Sequence, residues 1–128
     1  LLDSPGEMNG TGLAPRPRTV IAAAKAAGVG VMGVRAVQAG ALTSRLDRQD
    51  DSPTGADFAR AQPYRDLCRR WGEDPASVAY RYALGIEGVD TLVLGVKNRS
   101  ELHDAVMAER RGPLEAEQVA AIEALGLR

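Results

Sequence analysis

The stretch Thr91-Leu92-Val93-Leu94-Gly95-Val96-Lys97-Asn98-Arg99-Ser100-Glu101-Leu102-His103-Asp104 decides how the chain is read. Thr91 to Leu94 is a short, largely β-branched apolar run of the kind found in buried parallel strands. Gly95 and Val96 end it, and Lys97 to Glu101 reads as a helix start. Asn98 suits the N-cap, and Glu101 three residues later gives the spacing of a capping box. Leu102, Ala105, Val106 and Met107 supply an apolar face for the helix. A buried strand therefore stops at a glycine and launches a helix with two cations at its start. Two readings of that junction stand. The free N–H groups, the helix dipole, Lys97 and Arg99 suit a phosphate. They equally suit an ordinary capped turn with solvated cations.

The same strand-then-helix grammar extends in both directions. Upstream, Gly28 to Ala36 (GVGVMGVRA) is nearly all apolar or glycine, which predicts a second parallel strand covered on both faces. The small-residue loop 37–44 follows it, at the carboxyl end of a strand, where parallel α/β folds bind ligands or simply turn tightly. Arg18 to Ala27 is a predicted helix whose Val20, Ala23, Ala24 and Ala27 face suits close packing on a sheet. Residues 1–17 read as a loop leader rich in breakers. The polar segment 44–58 reads as a long loop, a lid or a disordered connection.

Between the two strands lie two further helices. Tyr64, Leu67, Cys68 and Trp71 form a helical stripe, with Cys68 read as a small buried hydrophobe. Asp74 and Pro75 open the next helix as N-cap and first residue, with Val78, Ala79, Tyr82 and Ala83 inward and Arg81 outward. A final helix over Glu115 to Leu125 buries Val119, Ile122 and Leu125.

The bulk numbers fit one globular domain. The chain has 128 residues, 45% hydrophobic and 26% charged, with a net charge of −1. Mixed charge argues against a nucleic-acid or membrane surface. The lone cysteine permits no internal disulfide and fits a reducing, cytoplasmic setting. No metal-ligand motif stands out. The first residue is Leu and the opening residues read as internal to a longer chain. Two parallel strands do not satisfy the faces and edges of a sheet. A (β/α)₈ barrel takes about 250 residues, and this chain supplies about half. Either the N-terminal loop contributes a third strand or further chain is missing. The pattern predicts an α/β fold of parallel βα units.

The order GVGVMGVRAVQAGALT, PASVAYRYAL, VDTLVLGVKNRSEL and GPLEAEQVAAIEAL resembles the carboxyl-terminal half of aldo-keto reductases from about Arg18 onward. That family folds as a (β/α)₈ barrel and reduces carbonyls with NADPH. The resemblance implies a partial TIM (β/α)₈ barrel, a single incomplete domain over 1–128 with parallel strands near 29–36 and 91–96. It makes the two strands the seventh and eighth of the barrel. It implies that the loop after the seventh, with Arg35, Gln38, Gly40 and Leu42, cradles the cofactor pyrophosphate. It implies that Gly95, Val96, Lys97, Asn98, Glu101 and Asp104 hold the adenosine and its 2′-phosphate. Arg35-Ala36 stands where the family has a small serine–proline pair, Ala105 where it often has Asn, and Glu101 where it often has a basic residue. These departures admit NAD beside NADP.

The family's catalytic Asp, Tyr, Lys and His come from early strands with no matching segment here. Tyr64, Tyr80, Tyr82 and His103 match none of those positions, and no catalytic residue is assigned. The expected function is the cofactor-binding part of an NADP-dependent aldo-keto reductase-like oxidoreductase acting on aldehydes or ketones, inactive alone. Its expected partners are the nicotinamide dinucleotide and either an N-terminal barrel half or a second copy of the chain. The alternatives are a non-catalytic half-barrel that binds nucleotides or dimerises, and an unrelated small α/β domain.

Overall fold

The computed structural model describes residues 17–46 and 53–127. The leader assigned to 1–17 lies outside the described residues except for Pro17, as does the 47–52 part of the polar loop. Helix α1 (Pro17–Ala26) is followed by strand β1 (Met32–Val34) and a 3₁₀ turn at Gln38–Gly40. Then come α2 (Pro53–Arg60), α3 (Gln62–Trp71) and α4 (Pro75–Leu84). Strand β2 (Thr91–Val93), α5 (Arg99–Arg110) and α6 (Ala116–Glu123) complete the order.

The two strands pair in parallel, with Met32 opposite Thr91, Gly33 opposite Leu92 and Val34 opposite Val93. Among the described residues this α/β fold has a two-stranded parallel sheet, not a closed barrel. The strands are shorter than the expected 29–36 and 91–96, for local reasons. The Asp90 carboxylate takes the Val31 N–H at 2.7 Å in place of a ladder partner. At the other end Arg35, with φ 59°, turns the chain out of the extended region.

Expected coverage on both faces of the sheet is corrected. Met32 is 60% exposed, Val34 65% and Val93 49%. Their neighbours Gly33 and Leu92 alternate to the other face and are half-buried. A Cβ on Gly33 would stand 2.6 Å from Leu92 Cδ2, so a larger residue there would push the end of the Leu92 side chain aside.

The core sits in the helical layer. Tyr64, Leu67 and Cys68 of α3 pack with Val78, Ala79 and Tyr82 of α4 and with Ile122 of α6. A smaller cluster joins Tyr80 of α4 to Ala105 and Ala108 of α5. The α3, α4 and α6 stripes follow the sequence reading, and Asp74 Oδ2 caps α4 by accepting the Ser77 N–H at 2.9 Å.

Four expectations change. The alanine face of α1 does not pack: no residue of α1 is buried and Val20 is 67% exposed. The helix is held instead by half-buried Ile21, by Lys25 on Asp90 at 2.8 Å and by Arg18 on Glu123 at 3.1 Å. Helix α5 buries Ala105 and Ala108, while Leu102 is 52% exposed. The polar loop becomes helix from Pro53, whose fixed φ suits a first helical residue. Arg81 points inward, not to solvent. It donates from Nε to Gly112 O at 2.9 Å and from Nη2 to Pro113 O at 3.0 Å. Burial spans the girth of α4 from Val78 to Tyr82, leaving no outward face there.

Candidate functional site

Parallel pairing sends the loops after β1 and β2 out of the same edge of the sheet. The first loop bends sharply. Arg35, Gln38 and Ala39 have φ of 59°, 48° and 52°, and Gly40 has 98°. Non-glycine residues in that region cost on the order of 1–3 kcal/mol each and persist only where their surroundings hold them. Here the hold is visible. Gly40 N–H donates to Val37 O at 2.9 Å and Thr43 Oγ1 to Gly40 O at 2.7 Å. Leu42 is fully buried beneath the loop. Arg65 of α3 reaches up to donate to Ala41 O at 3.1 Å and to Phe58 O at 2.6 Å. Its guanidinium lies 3.6 Å over the Phe58 ring, so one side chain ties the loop to both α2 and α3.

The second loop enters α5 through the expected cap, with a change in one partner. Asn98 Oδ1 accepts the Glu101 N–H at 2.9 Å. The Glu101 carboxylate reaches back to the Lys97 N–H at 2.8 Å, one residue before the usual capping-box donor. The Arg99 and Ser100 N–H groups are left without an intrahelical acceptor, at the positive end of a twelve-residue helix.

Between the loops lies an open groove of about 810 Å³. Of the residues expected at the site, Arg35 and Gly40 line it from the first loop. Gly95, Val96 and Lys97 line it from the second, and Glu101 and Asp104 from α5. Gln38 and Leu42 lie below it, buried, and Asn98 is engaged as the cap. Among the lining residues that the sequence reading did not assign to the site are Arg45, and Asp74 and Tyr80 of α4. Asp74 read only as a cap, and Tyr80 lies off the helical stripe. Arg45 follows a loop whose small residues drew the attention. The groove thus carries Arg35, Arg45 and Lys97, and also the carboxylates of Asp74, Glu101 and Asp104. Burial, then the charges of Glu101 and Asp74, hold the Tyr80 phenol above its ordinary pKa, so it is a neutral hydroxyl.

The other reactive side chains lie elsewhere. Tyr64 is fully buried and donates to Pro75 O at 2.6 Å. Tyr82 donates to Glu123 at 3.2 Å. His103 is exposed on α5. Cys68 is buried, and burial pushes its thiol up to about 11, which makes it a poor nucleophile. Among the described residues no group of three or more His, Cys, Asp or Glu side chains is placed to hold a metal ion. No described helix is long and apolar enough to cross a membrane.

The two loops bring cations, glycines and the N-terminus of α5 to one groove. The carboxylates on the α4–α5 side suit hydroxyl or amino groups, not phosphate. Comparison with individually curated proteins gave no match. Residues 13–126 match the sequence model of the Aldo/keto reductase family. That match spans most of the chain and takes in both strands and the groove between them, and on it this chain belongs to the aldo/keto reductase family.

Proposed function

We propose that the groove binds NADP, or NAD, as the cofactor-binding part of an oxidoreductase that reduces aldehydes or ketones. The observation that carries this is the convergence of two parallel βα loops on one groove with Arg35, Arg45 and Lys97 along it. The loop after β1 receives the pyrophosphate, and the turn after β2 with the N-terminus of α5 receives the adenosine and its 2′-phosphate. The carboxylates of Glu101 and Asp104 face the adenosine. When bound, the nicotinamide supplies hydride to a carbonyl carbon. The chain's own residues bind and orient; proton delivery belongs to tetrad side chains for which this sequence has no matching segment.

Titration of NADPH and NADH by cofactor fluorescence tests this. Both are expected to bind, and Lys97→Ala is expected to weaken both by roughly fivefold, the worth of one rim charge. Glu101→Gln keeps a capping oxygen and removes a negative charge. It is expected to favour NADPH relative to NADH by roughly fivefold on the same scale. No turnover of a reactive aldehyde is expected from the chain alone. Failure to bind either cofactor would sink the reading.

A second reading draws support from the bare sheet face of Met32, Val34 and Val93. Exposed strands of this kind pair or become covered, here by an N-terminal barrel half or a second copy of the chain. Sedimentation velocity is expected to show a dimer at micromolar concentration if the second copy is the cover. A monomer throughout would rule out self-pairing.

A further inference from the structure

Tyr80 has no role in the sequence reading and none in the family positions carried over from it. Its residue is 8% exposed, yet no described group hydrogen-bonds its hydroxyl. Buried tyrosine hydroxyls ordinarily have a partner. Among the described residues no fully buried side-chain oxygen or nitrogen lacks one, so the Tyr80 hydroxyl retains contact with open space. That space is the groove the residue lines. Tyr80 forms one buried cluster with Ala105 and Ala108 of α5, and Ala36, Ala76 and Leu94 pack against that cluster. The other two tyrosines have their hydroxyls engaged, Tyr64 with Pro75 O and Tyr82 with Glu123. Tyr80 is therefore the phenol held ready on the groove wall.

We propose that Tyr80 is a specificity-determining contact that hydrogen-bonds a neutral, hydroxyl-bearing sugar of the ligand. The proposal rests on the dinucleotide reading above. The groups facing the hydroxyl decide the class of ligand group. Asp74 and Glu101, which share this side of the groove, repel a phosphate and accept from a sugar hydroxyl. A ribose hydroxyl placed there accepts from the phenol and donates to a carboxylate. Arg35, Arg45 and Lys97, which also line the groove, supply positive charge toward the phosphates.

The test compares the parent chain with Tyr80→Phe and Tyr82→Phe. Binding of NADH and NADPH is followed by cofactor fluorescence, and binding of inorganic pyrophosphate by competition. Tyr80→Phe keeps the ring and its packing, so its melting temperature is expected to stay unchanged. Its affinity for both dinucleotides is expected to fall about three- to tenfold, the worth of one hydrogen bond. Pyrophosphate is expected to bind both proteins equally, and Tyr82→Phe to bind like the parent. Unchanged dinucleotide affinity in Tyr80→Phe overturns the assignment, as does an equal loss for pyrophosphate. Equal weakening in Tyr82→Phe also overturns it, since the effect would then be general. If the parent binds neither dinucleotide, the broader reading fails first and this one with it.

Discussion

Replacing Arg81 by leucine is expected to lower the unfolding free energy by about 3 kcal/mol, read from urea melts. Arg81 is 7% exposed, and its fork holds Gly112 O and Pro113 O together. Those carbonyls belong to the turn between α5 and α6. A hydrogen bond from a charged donor contributes about 1.5–3 kcal/mol, and two are lost. Leucine returns part of that by burying apolar surface without the cost of a desolvated guanidinium. Lysine keeps the charge but has no planar fork, so Arg81→Lys is expected to fall between.

Glu73 completes the arrangement. It lies 3.8 Å from Arg81 Nη1 and takes Arg111 in a two-point contact. The hydrogen bond and charge of Arg111, with Arg81 behind it, hold the Glu73 carboxyl below its ordinary pKa. A depressed folded pKa gives stability that is complete above the unfolded value of about 4.3 and fades as pH falls through the lower folded value. Glu73→Gln is therefore expected to be less stable at neutral pH and to show a flatter loss of stability below about pH 4.

The sequence made the skeleton of this fold readable, because its strand–turn–helix junctions are written in local chemistry. Asn98 and Glu101, Asp74 and Pro75, and the Tyr64–Leu67–Cys68 stripe act within four residues of each other, and each stands where the spacing put it. What was not legible depended on distant partners. Arg81 reads as a solvated charge until the turn 31 residues later supplies its carbonyls. Arg65 looks like any surface arginine, yet it ties the groove loop to two helices. The alanines of α1 gave the right helix and the wrong environment, because a small-residue face says how closely something can pack, not that it does. At the candidate site, the loop residues were legible from their place after a strand. Tyr80 and Asp74 were not, since the α4 wall joins the groove through tertiary packing alone. Strand length also escaped prediction: Asp90 and Arg35 stop the ladder with a side chain and a backbone angle, neither visible as a break in an apolar run.

Tyr64→Ala is expected to be the most damaging single change in the chain, at about 3–5 kcal/mol. Tyr64 is fully buried at the meeting of α3 and α4, beside Cys68 and Val78, and its loss leaves a cavity that the rigid helix pair cannot close. Domains of this size carry a total stability of roughly 5–15 kcal/mol, so the variant is expected to be largely unfolded in mild urea. The hydroxyl is the smaller part. Tyr64→Phe removes the bond to Pro75 O and keeps the ring, with an expected loss of about 1 kcal/mol. Ring and hydroxyl together separate packing from polar anchoring at one position. The counterpart lies on the sheet. Val34→Ser changes a strand residue that is 65% exposed, and its expected effect is within about 0.5 kcal/mol. If Val34→Ser proved as costly as Tyr64→Ala, the bare strand face would have to be covered in solution. The difference between the two variants therefore measures where stability resides: in the helices that form the core, with the strands acting to aim two loops at one groove.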